Sequence, residues 1–78
     1  MADWSPATAI AQERRHVLEG EERVARQEAL VKKTVEQGHA ELARIAGQML
    51  DALRASLDLS RERLLYLEAR YGTAPGEK

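Results

Sequence analysis

Residues 35–46 read VEQGHAELARIA, and whether the chain turns at the Gly38-His39 pair or runs through it decides the fold. Between Ala7 and Tyr71 there is no proline, and the glycines are Gly20, Gly38 and Gly47. No strand alternation competes, so this span holds either two long helices or one very long one. A straight helix from Pro6 to Tyr71 would run about 100 Å at 1.5 Å per residue. Gly38 falls close to its midpoint, and two arms of nearly equal length bury each other's faces as an antiparallel hairpin. Glycine inside a helix costs ~1 kcal/mol relative to alanine but is preferred at the left-handed position that ends one. A hairpin uses Gly38, whereas a rod merely tolerates it, so Gly38 and His39 are read as the turn. The competitor is a continuous helix in a coiled coil. On such a helix Val24, Val31, Val35, Leu42, Leu53, Leu57, Leu64 and Tyr71 all fall within about 40° of Val17. Ala40 is also a poor N-cap for a second helix.

Outward from the turn, the ends carry recognisable punctuation. Ser5 is an N-cap candidate, Pro6 suits the first helical position, and Trp4 stands where a hydrophobic staple would. Gly72 reads as a left-handed stop with Pro75 beyond it. The organisation expected is a cap segment over residues 1–5, a helical hairpin over 6–71 with helices at about 6–37 and 39–71, and a flexible tail over 72–78.

The second arm has the stronger apolar pattern. Ala43, Ala46, Leu50, Leu53, Leu57, Ser60, Leu64, Leu67 and Tyr71 alternate three and four apart, the spacing of a heptad seam. Leu42, Ile45, Met49 and Leu59 flank that seam on one side and Leu65 on the other, making the apolar surface wider than one partner helix covers. The first arm is thinner: Ile10, Val17, Val24 and Val31 recur every seven residues, with Arg14, Glu21 and Glu28 between them. These three are either long side chains snorkelling at the seam edge or members of ion pairs that set a register. The packing seam is therefore Val17, Val24, Val31, Leu50, Leu53, Leu57, Leu64, Leu67 and Tyr71. A lone pair of helices is expected to leave Leu50, Leu53, Leu57, Leu64 and Leu67 half covered. A homodimeric four-helix bundle would bury them.

Bulk properties narrow the function. With 78 residues the core of one chain is marginal, and with no cysteine disulfides are excluded. Twelve lysines and arginines against 13 acids give a net charge of −1, which disfavours nucleic acid as a partner. No apolar run approaches the ~18 residues of a membrane span, and the start MADWSP is unlike a secretory leader. Charged residues make up 32% and aromatics 4% of the chain, the composition of a long helix or coiled coil. The expected setting is cytoplasmic.

Few arrangements suggest chemistry. Glu13-Arg-Arg-His16 and Glu36-Gln-Gly-His39 both match Glu-x-x-His, the spacing that sets a carboxylate and an imidazole on one helix face in di-iron bundles. The copies lie 23 residues apart on one arm, roughly 35 Å along a helix, so one chain cannot converge them. Solvated side chains are the expectation for Glu13, His16, Glu36 and His39, with no cofactor or metal. Trp4 serves either as the staple or as an exposed anchor for a partner. No nucleophile with a convergent base and no phosphate-cradling loop is present.

The run from Arg15 to Gln27, RHVLEGEERVARQ, followed by Gly38-His39 and a leucine-rich second arm, resembles a set of short bacterial proteins of unknown function. They share a segment of the form RHVxEGExRVARQ, and the likeness spans His16 to about Arg63. It implies a bacterial, cytoplasmic hairpin and transfers no activity. In that set an acidic residue commonly follows the Gly-His pair, whereas this chain has Ala40.

The sequence thus predicts an all-α hairpin acting as a non-enzymatic interaction or scaffolding module, partnered by itself or by another helical protein. Two alternatives stand beside it. One is an obligate partner of a larger protein, such as an antitoxin, anti-regulator or secretion chaperone. The other is a metal-binding oligomeric bundle of ferritin-like type.

Overall fold

Ser5 has extended backbone, and its side chain accepts a hydrogen bond from the Thr8 amide at 3.1 Å, so one of the orphan donors of the first turn is satisfied. Pro6 then occupies the first helical position, where its missing N–H costs nothing. In the computed structural model, which describes residues 4–72, helix α1 runs Pro6–Glu36 and helix α2 runs Ala40–Tyr71. The two pack against each other as an antiparallel hairpin, and among the described residues there is no strand. The longest dimension is 55 Å, about half that of the unbroken rod.

Gly38 makes the turn. Its φ is +76°, the left-handed conformation that a β-carbon disfavours. Around it the His39 amide donates to the Thr34 carbonyl at 2.9 Å and the Gly38 amide to Val35 at 3.0 Å. This crossed pair of bonds satisfies the last carbonyls of α1. His39 takes the N-cap position of α2 through its backbone, its carbonyl accepting from the Ala43 amide at 2.8 Å, while its side chain makes no capping bond. The weakness of Ala40 as a cap is thereby sidestepped, because Ala40 is already the first helical residue.

The far end departs from expectation. Gly72 has φ −75° and extended backbone, so it is not a left-handed stop. Its amide bonds to the Glu68 carbonyl at 2.9 Å, and a β-carbon built there would lie 2.7 Å from that oxygen. Close approach is what requires glycine at this position. Pro75 and the tail over 73–78 lie outside the described residues, as do residues 1–3 of the cap segment.

The core is one thin line of contact. Ile10, Ala46, Leu50 and Leu57 are its buried apolar residues, and Val17, Val24, Val31, Leu53, Leu64 and Leu67 are half-buried beside them. Leu50 and Leu57 are 7% and 6% exposed, so the hairpin alone covers these two, contrary to the expectation that a second chain would be needed. Gly20 is the reason Leu57 fits so deeply: a β-carbon on Gly20 would stand 3.0 Å from Leu57 Cδ1. Among the described residues no side chain is fully withdrawn from solvent. Two packed rods have too little depth to enclose one.

Candidate interaction surface

The heptad charges of α1 find partners on α2. Arg14 pairs with Glu68 at 3.0 Å, Glu21 with Arg61 at 3.2 Å and Glu28 with Arg54 at 2.8 Å. Both sets are seven apart in sequence, and antiparallel packing meets each charge with its opposite. These pairs bridge the hairpin along one flank and stay largely solvent-exposed, so snorkelling alone does not describe Arg14, Glu21 and Glu28. Each pair contributes little, ~0.2–1 kcal/mol, but together they favour one register.

The opposite flank is different. There His16 and Arg23 of α1 and Ser56 and Ser60 of α2 border an open groove whose floor is the Gly20–Leu57 contact. Toward the turn, Gln27 Nε2 donates to the Ala46 carbonyl at 2.9 Å and braces the helices. Toward the other end, Glu13 is only 5% exposed, lying 3.6 Å from His16 Nδ1 and 3.5 Å from Arg63. The expectation that Glu13 is solvated is therefore corrected. Position 13 faces α2, and the carboxylate there has two partners, His16 and Arg63, whose own side chains reach solvent. No buried polar side-chain atom lacks a hydrogen-bond partner among the described residues.

The remaining sites from the sequence fall as follows. Glu36 ends α1 and His39 precedes α2, both exposed, well away from Glu13 and His16. Among the described residues no three histidines, aspartates or glutamates gather closely enough to hold an ion. Trp4 reaches across to Tyr71, edge to face with ring centroids 5.4 Å apart, and Arg70 lies over the same tyrosine. The aromatic pair closes the open end of the hairpin. Trp4 thus has an aromatic partner at the far end of α2, although it is 62% exposed.

Beside the groove, α2 carries a second apolar row. Leu42, Ile45, Met49, Leu59 and Tyr66 are between 41% and 61% exposed. With the small residues Ala52 and Ser56, the row from Leu42 to Leu59 alternates three and four apart and Tyr66 continues it beyond Arg63, a heptad seam set a quarter turn round α2 from Leu50, Leu57 and Leu64. Leu42, Ile45, Met49 and Leu59 already stand out in the sequence as a flank. Tyr66 is missed because Arg63 interrupts the row before it, and the opposed charges of Arg54, Arg61 and Glu68 were the unread signal for the other flank.

Among the described residues no helix is long and apolar enough to cross a membrane. No family model, no curated protein and no solved structure matches the chain.

Proposed function

We propose that this chain is a non-enzymatic protein-interaction or scaffolding module of the cytoplasm. Its partner surface is the long helix faces, and a second copy is its first partner, giving a homodimeric four-helix bundle. The observation that carries this reading is the second seam of α2, where Leu42, Met49 and Leu59 remain more than half exposed although the hairpin is closed. Each fully buried leucine contributes ~1.5–3 kcal/mol, so a row of such residues drives association. The bulk charge supports a protein partner over a nucleic acid, since the net charge is −1.

The test is the solution mass of the purified chain by light scattering on a sizing column, across a hundredfold or wider range of concentration. A mass of two chains that persists on dilution is the expected result. A monomer that stays monomeric at high concentration overturns self-association, and then a different helical protein is the partner to capture from the native cell.

A further inference from the structure

Four features bear on which face a second copy covers. The uncharged part of the outer α2 row, Leu42, Ile45, Met49, Ala52, Ser56 and Leu59, extends about 25 Å along the helix. That is enough for several layers of knobs and holes. It lies a quarter turn from the seam that meets α1, and this is the angle between the two neighbours of each helix in a square four-helix bundle. The chain exposes 5960 Å², whereas a compact chain of 8.7 kDa exposes about 4,700 Å². The surplus, roughly 1,200 Å², exceeds the ~800 Å² that each partner gives to a standard interface. Finally, the charges bracketing the row differ at its ends, with Glu41, which Arg44 already bonds, at the start, and Arg63, which also faces Glu13, and Arg70 at the finish. A parallel pair would bring Arg63 and Arg70 of the two copies together, whereas an antiparallel pair brings them toward the other copy's Glu41–Arg44 pair and opposes the helix dipoles.

Resting on the self-association proposed above, we infer that a second copy of this chain covers the outer row of α2. The two α2 helices lie antiparallel about a two-fold axis near residues 50–54, and the Glu41 end of each meets the Arg63-to-Arg70 end of the other. The flank bearing the Arg14–Glu68, Glu21–Arg61 and Glu28–Arg54 pairs stays in solvent.

The chain has no cysteine, so single cysteines report proximity without background. Ala52→Cys near the axis should cross-link to itself through a short bis-maleimide. Ile45→Cys and Leu59→Cys, well away from the axis, should not cross-link to themselves but should do so when mixed. Met49→Asp and Leu59→Asp should weaken dimerisation at least about a hundredfold with helicity retained, since each substitution enters the interface twice. Leu18→Asp, equally exposed on the outer side of α1 at 61%, should leave the dimer intact. If Ile45→Cys cross-links to itself as readily as Ala52→Cys, the pairing is parallel and the inference fails. A dimer indifferent to Met49→Asp and Leu59→Asp also overturns it, while self-association itself survives. A monomeric parent chain overturns both. If an aspartate variant fails to fold, the cysteine variants still decide the matter, because their substitutions are at exposed positions.

Discussion

The two flanks of the hairpin are built on opposite principles. One is laced by exposed ion pairs between Arg14 and Glu68, Glu21 and Arg61, and Glu28 and Arg54. The other leaves a groove at His16, Arg23, Ser56 and Ser60 and, next to it, the uncovered row of Leu42, Ile45, Met49 and Leu59. Charged pairs in water contribute little energy but make wrong pairings costly, so the first flank favours one register of the two helices. Exposed apolar rows contribute nothing until covered and much afterwards, so the proposed self-association would draw its free energy from the second flank. If the proposed dimer forms, this chain separates how it folds from how it associates by giving each its own side.

Substitutions that strike what both flanks share should have the largest effect. Leu57→Asp puts a carboxylate into the thin core against Gly20 without a partner, and a loss of at least ~3 kcal/mol is expected, enough to melt most of the helix signal by circular dichroism. Survival of a fully helical chain would mean that neither flank depends on that core. Glu13 sharpens the contrast, because it is a charge buried on the groove flank. Glu13→Ala should cost ~1–3 kcal/mol in urea unfolding through a lost ion pair and a void. Glu13→Met, which keeps the volume, should fall within about 1 kcal/mol of the parent or above it. Equal losses in the two variants would show that the charge, not the packing, matters there.

Smaller effects test the turn and the ion pairs. At Gly38 a β-carbon meets open space but φ is positive, so Gly38→Ala should destabilise by ~1 kcal/mol through backbone strain alone. Gly47 also faces open space but is helical, and Gly47→Ala should stabilise by ~0.5–1 kcal/mol. Opposite signs from two alanines at two unobstructed glycines would isolate conformation from contact. Glu21→Ala should shift stability by no more than ~0.5 kcal/mol at low salt and by nothing measurable in ~1 M salt. A larger, salt-resistant loss would contradict the assignment of that flank to register.

Much of this was legible in the chain. The turn at Gly38 followed from equal arms and one well-placed glycine, and the core seam from three-and-four spacing at Leu50, Leu57 and Leu64. What escaped was anything set by the distance between the arms. Glu13 looks like one more solvated acid among many, and its burial becomes visible only when position 13 is found facing α2 beside Arg63. Leu50 and Leu57 looked half covered because spacing does not show that Gly20 lets the helices approach closely. Gly72 had the right neighbours for a left-handed stop, yet its role is set by the Glu68 carbonyl beside it.

By itself, then, the sequence determined that this protein is all helix, where its two arms begin and end, and which faces are apolar. Periodicity and end signals act within a few residues, and a linear string records them completely. The tertiary structure decided which apolar residues the hairpin itself covers, which it leaves exposed, and which charges meet. Those outcomes depend on the register and closeness of two segments joined by one short turn, as at Gly20, where a β-carbon would stand 3.0 Å from the buried Leu57.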